Sequence, residues 1–207
     1  MSSVTTIPIA SLLLGFVPVL LLIVIMRAWG LNAFQAMYAN IRMLVQLLLI
    51  GYVLTYIFET DEPALVVLVV IFMIAMSSWI ALRPLTDRGI KPYSIVTIAI
   101  GVSGLGVLVL VTQIILELPR WFEPRFVVPL AGMIFANSMN TISLAGERFH
   151  AERERGEDYL SARRTAMEAA MIPQVNALLA VGLVSLPGMM TGQILSGVEP
   201  LTAARYQ

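Results

Sequence analysis

Six stretches of the chain are apolar for long enough, roughly 20 residues each, to cross a bilayer as helices. They run Ile7–Met26, Ile41–Phe58, Ala64–Leu82, Tyr93–Leu116, Phe126–Ala145 and Ile172–Leu195. The first ends at Arg27-Ala28-Trp29-Gly30, and Leu31 to Asn40 reads as interfacial. Glu59-Thr60-Asp61-Glu62-Pro63 closes the second, Arg83-Pro84 closes the third, and the fourth is glycine-rich at Gly101, Gly104 and Gly106. Between the fifth and sixth lies the one long polar segment, Glu147 to Glu168, dense in Glu, Asp and Arg. Each charge held mid-bilayer costs about 2.5–3.5 kcal/mol, so this segment is expected in water or at the interface. The pattern predicts an all-α, polytopic integral membrane protein with six transmembrane helices in this chain. Residues 1–207 read as a single membrane domain.

Composition agrees, with 58% hydrophobic and 13% charged residues and a mean hydropathy of +0.87. The only lysine is Lys91 and the formal net charge is zero, which leaves no basic surface for nucleic acid. Without cysteine, disulfides, thiolate metal sites and cysteine nucleophiles are excluded. The N-terminus has no basic region ahead of its apolar run, so the first segment is expected to be a retained membrane helix. Arg120, Arg125 and Arg205 fall on one side of the six crossings, and the other ten basic residues fall on the opposite side. By the positive-inside rule that richer side is cytoplasmic and the N-terminus is outside, in the inner or plasma membrane.

Within the polar segment, Tyr159, Ala162, Ala166 and Ala170 share one helical face, with Ser161, Arg164, Thr165 and Glu168 opposite and Arg163 intruding on the apolar side. An amphipathic helix lying on the membrane and a docking helix for a partner both fit this pattern. In the fifth segment Asn137, Asn140 and Thr141 stand at i, i+3 and i+4 and share a face, suited to interhelical hydrogen bonds or to lining a path. No acid or base lies deep in an apolar segment, which speaks against a proton-coupled antiporter. Met133, Met139, Met167, Met171, Met189 and Met190 gather near the last two segments as flexible packing or as soft thioether ligands. His150, the one histidine, falls in the polar segment.

Near the end of the sixth segment, Pro187 removes a backbone donor, so a helix entering from Gln174 should kink or stop near Leu186. Gly188 and Gly192 follow as a small-xxx-small pair that would admit another helix. Pro187, Gly188, Met189, Met190 and Gly192, with Asn137, Asn140 and Thr141, form the expected hinge or translocation path. Lys91 is followed by Pro92, so the chain carries no P-loop; it is not expected to be an enzyme or to bind a cofactor, and active transport would use ATP hydrolysed by another subunit.

Two short resemblances bear on activity. Gly101-Val102-Ser103-Gly104 is similar to the GxSG of rhomboid intramembrane proteases, whose serine needs a histidine within hydrogen-bond reach. Glu168-Ala169-Ala170 followed by Val184-Ser185-Leu186-Pro187 resembles the coupling motif of ABC importer permeases, with Gln174 where that motif has glycine.

A broader resemblance covers most of the chain. Arg42 with Val45-Gln46-Leu47, Gly51 and Ile57-Phe58; Pro129-Leu130-Ala131-Gly132-Met133-Ile134 leading to Asn137-Ser138-Met139-Asn140 and Glu147-Arg148; Val181 through Leu195; and Arg205-Tyr206-Gln207 are similar to the FetB-type ABC transporter permeases, which include bacterial iron exporters and plant proteins linked to aluminium tolerance. The resemblance implies a permease that pairs with itself, docks a cytoplasmic ABC ATPase through residues 147–171 and exports iron or another metal. Glu147, Arg148, Arg163, Arg164 and Glu168 are the expected coupling residues. It also implies a seventh helix beyond Gln207, so that this chain is expected to be truncated. The metal-binding residues stay unknown, and the rival readings are a passive channel without an ATPase and, more remotely, a rhomboid-like protease.

Overall fold

The structure is a computed structural model, and it describes residues 8, 11, 14–59, 62–85 and 88–206. The helices are α1 (Val17–Ala28), α2 (Ala33–Glu59), α3 (Pro63–Ala81), α4 (Ile90–Val109, continued by a π-helical turn Leu110–Ile115), α5 (Pro124–Glu154), α6 (Tyr159–Ala180), α7 (Gly188–Leu195) and α8 (Pro200–Arg205). Four of them, α2, α3, α4 with its π turn, and α5, are long and apolar enough to cross a membrane. Only an isolated bridge between Val181 and Ser185 departs from helix and loop among the described residues. The chain divides into two compact units, one spanning Ile57–Leu186 and the other combining the residues before Ile57 with those from Pro187 onward.

In the first unit α5 packs against α3, α4 and α6. Val127, Ala131 and Phe135 recur on its buried face at helical spacing, and Val66, Val70 and Ile74 form the matching stripe on α3, with Ile100 and Leu108 from α4. Small residues bring the backbones close. A Cβ added to Gly104 of α4 would stand 2.5 Å from Cε1 and 2.9 Å from Cδ1 of the buried Phe135. The helices are also tied by hydrogen bonds that cross between them: Ser143 Oγ donates to Ala81 O at 2.9 Å, and Tyr93 OH donates to Ala75 O at 3.2 Å.

At 1.5 Å per residue the 31-residue α5 is about 46 Å long, against a hydrocarbon core of about 30 Å. The helix exceeds that core by about ten residues, a surplus comparable to its charged Glu147–Glu154 end. The polar segment is therefore a helical hairpin. At its tip Gly156 takes φ +91°, which lets its own N–H bond Arg153 O and the N–H of Glu157 bond Glu152 O, closing α5 with a Schellman cap. Asp158 then caps α6 by accepting from the N–H groups of Leu160 and Ser161.

Several expectations need correction. The third, fourth and fifth segments form helices as predicted, but the fifth runs on as one helix through Glu154. Helix α2 begins at Ala33, so residues 33–40 of the stretch read as interfacial are helical and continuous with the second segment. The first segment does not form one long helix in its described part: α1 starts at Val17, with Pro18 in its first turn, and Ile7 lies outside the described residues. The sixth segment is not one helix either. Helix α6 stops at Ala180, six residues earlier than the position inferred from Pro187, because Gly182 turns left-handed at φ +77° and the N–H groups of Leu183, Val184 and Ser185 all converge on Ala180 O. Pro187 instead caps the start of α7, its carbonyl accepting from the N–H and Oγ1 of Thr191.

In the second unit α7 and α8 pack together and bury Ala203. Helix α1 ends where Leu31 N–H bonds Met26 O, and Asn32 opens α2 by accepting from Gln35 N–H.

The Gly104–Phe135 contact gives a direct test of the core. Gly104→Ala should destabilise the purified protein by about 1–3 kcal/mol, because the buried Phe135 ring must shift within the packed core to admit the methyl. Gly106→Ala, whose new methyl meets nothing within 4 Å, should leave the melting temperature unchanged or slightly raised. Equal melting temperatures for the two variants would contradict this packing.

Candidate functional site

Several polar residues of α4, α5 and α6 come together in one place within the first unit. Ser103 of α4, Asn137, Ser138, Thr141 and Ile142 of α5, and Met171 and Gln174 of α6 line an open cleft of about 460 Å³. Gln174 Nε2 donates to Thr141 Oγ1 at 3.0 Å, a side-chain bond between helices. The three hydroxyls each donate to the carbonyl four residues back: Ser103 to Ala99 at 2.6 Å, Ser138 to Ile134 at 2.9 Å and Thr141 to Asn137 at 2.9 Å. Such back-bonding satisfies a hydroxyl proton where no water is at hand.

Of the residues expected to face a path, Asn137 and Thr141 line this cleft and Asn140 does not. Sequence reasoning missed Gln174 and Met171 as partners, and it weighed Ser103 only as a nucleophile. The available signal was Gln174, an amide inside an apolar run. The protease geometry is not formed: His150 stands eight residues beyond Ile142 on α5, about 12 Å along the axis from the nearest α5 residue of the cleft that Ser103 lines.

The expected coupling residues sit at the charged end of the hairpin. Glu147, Arg163, Arg164 and Glu168 are exposed, and Arg148 is partly buried. Arg164 Nε donates to Glu168 Oε1 at 2.9 Å, and that hydrogen bond together with the Glu168 charge raises the guanidinium above its ordinary pKa. Glu152, which the sequence reading did not single out, is the buried acid here at 7% exposure. Its Oε1 lies 2.6 Å from Arg148 Nη2 and 3.2 Å from Arg155 Nη1, so the carboxylate staples the last turns of α5. Phe149 meets the ring of Tyr159 edge-on at 5.7 Å across the hairpin.

The face of α6 read as available for a membrane or a partner is occupied within the chain. Ala162, Ala166 and Ala170 are buried, as expected for a methyl stripe packed in the α5–α6 pair. Arg163 does not intrude on that stripe but points outward, beside Leu160, Arg164, Met167 and Glu168. Pro187, Gly188, Met189, Met190 and Gly192 belong to the second unit. A side chain at Gly188 or Gly192 would meet nothing within 4 Å, so the pair does not serve a close helix contact inside the chain. Among the described residues no three His, Cys, Asp or Glu side chains gather as a metal site.

The chain matches the profile of the uncharacterised protein family UPF0014 over residues 9–163 and 154–207. It belongs to that family. It is 35% identical over 201 aligned residues to the UPF0014 membrane protein slr1647 of Synechocystis, covering 89% of this chain and 78% of the relative. The probable iron export permease protein FetB of Escherichia coli is 35% identical over 184 residues, 80% of this chain and 68% of FetB. The plant relative STAR2 of Oryza sativa is 31% identical over 192 residues, 84% of this chain and 65% of STAR2. No solved structure matches the chain. Family and apolar helices together make it an integral membrane protein.

The staple at Glu152 predicts a local effect. Glu152→Ala should leave α3 to α5 folded while hydrogen exchange speeds up at residues 146–162, at a cost of about 1–2 kcal/mol because both arginines remain partly solvated. Unchanged exchange at the tip would show that the carboxylate holds nothing.

Proposed function

We propose that the chain is the permease subunit of an ATP-driven metal exporter, working as a pair of copies with a separate ABC ATPase. The observation that carries this is the α5–α6 hairpin. One pair of rigid helices joins a polar cleft at membrane depth to a charged end that stands in water, so a load applied to the end can reach the cleft. The name of the FetB relative supports the cargo class and the direction. The distribution of basic residues supports a cytoplasmic location for the hairpin tip and an outside N-terminus.

In this reading Arg163, Arg164, Glu168 and Glu147 meet the ATPase from the exposed side of the hairpin, with Leu160 and Met167 supplying apolar contact between them. Arg148 acts indirectly, by holding Glu152 and the tip together. The loop Val181–Leu186 and Pro187 supply the flexible joint between α6 and α7. This loop is held only by local bonds, the Val181–Ser185 bridge and the N–H groups gathered on Ala180 O, which suits a segment that changes shape while α5 and α6 stay rigid.

Affinity purification of the tagged chain from its native membranes in mild detergent should recover a soluble ABC ATPase in stoichiometric amount. Arg163→Glu combined with Arg164→Glu should lower that recovery at least tenfold while membrane insertion is unchanged. Recovery of the chain alone, with transport that persists without ATP, would replace this proposal with a passive channel.

A further inference from the structure

The cleft between α4, α5 and α6 has a chemical bias that the pattern of polar residues alone does not reveal. Ser103, Ser138 and Thr141 each spend the hydroxyl proton on a backbone carbonyl of their own helix. What they can turn toward the cleft is oxygen lone pairs. Thr141 already uses one to accept from Gln174 Nε2, a bond that leaves the Gln174 carbonyl oxygen as a further acceptor. Asn137 adds another amide oxygen alongside its N–H donors, and Met171 a thioether, itself a weak acceptor. The cleft lining contains no Arg, Lys, His, Asp or Glu.

We infer that this cleft binds a divalent cation that keeps its water shell, recognised through neutral oxygen acceptors. The inference rests on the proposed permease function and supplies its cargo chemistry. Waters bound to a cation turn their protons outward, so a hydrated ion presents donors over its whole surface, and a lining rich in acceptors is its complement. Six waters at about 30 Å³ each occupy roughly 180 Å³. That fits within the 460 Å³ cleft. Stripping the shell would require carboxylates or other strong ligands to replace it, and the lining has none. The absence of formal charge also keeps binding weak enough for release, as a transit site requires. A phosphate-bearing or other anionic cargo would meet no cation in the lining, only the amide N–H groups of Asn137 and Gln174.

The test is equilibrium binding of cobalt(III) hexaammine, an exchange-inert cation that cannot lose its shell, to the purified full chain in lipid nanodiscs. Binding should be competed by Mg²⁺ or Mn²⁺ and insensitive to inorganic phosphate. It should weaken at least tenfold in the Thr141→Val, Gln174→Leu double variant and severalfold in Ser103→Ala, whose hydroxyl bonds only its own helix and whose loss leaves folding intact. Melting temperatures matching the parent protein would show that the variants fold. No binding by the hexaammine, or equal binding in parent and both variants, would overturn the inference. Because this readout needs no ATPase, failure to recover an ATPase partner would leave a positive result standing, and a negative result would leave the permease proposal intact with a different cargo site.

Discussion

The interaction on which the first unit depends is the close approach of α5 to its neighbours, made possible by residues too small to hold the backbones apart. In lipid no hydrophobic force drives one apolar helix onto another, so association rests on dispersion, shape and a few hydrogen bonds. Ala131, Gly104 against Phe135 and the alanines of α6 supply the shape. Ser143 to Ala81 and Tyr93 to Ala75 supply hydrogen bonds that a slipped register would break. Everything else in the unit is placed relative to α5: the cleft lies along it, and the hairpin tip is its end.

The same helix changes character along its length. Over its first two thirds its side chains meet apolar groups, hydroxyls bonded within the helix, and the cross-helix bonds of Thr141 and Ser143. Over its last third they are Arg148, Glu152 and Arg155, an arrangement that lipid would not tolerate and that water stabilises only modestly. The hairpin is held instead by local geometry: a glycine cap, an aspartate cap and an edge-on aromatic contact, all within a few residues of the turn. A stiff rod whose end is set by such short-range devices can transmit force without relying on distant contacts.

The cleft shows how polar chemistry is accommodated between helices without charge. Each hydroxyl is bonded within its own helix, and a single amide joins two helices. The result is a surface that can exchange hydrogen bonds with a visitor at little cost, since no buried ion pair has to be broken.

Much of this was legible in the chain itself. The apolar runs of α3 to α5 are long enough, and their bounding prolines and charges clear enough, that bilayer thickness alone dictates helices there. Resemblance over most of the chain likewise pointed to the family. Tertiary structure decided what local patterns leave open. The amphipathic face of α6 reads the same whether a membrane, a partner or α5 covers it, and packing chose α5. Gln174 joins Thr141 across 33 positions, a distance over which periodicity carries no information. The break after Ala180 turned on the left-handed backbone of Gly182, and the more conspicuous Pro187 became a helix cap. Length and polarity are properties of a segment and survive in any fold, whereas the partner of a face and the site of a break depend on competing long-range contacts that only the folded chain resolves.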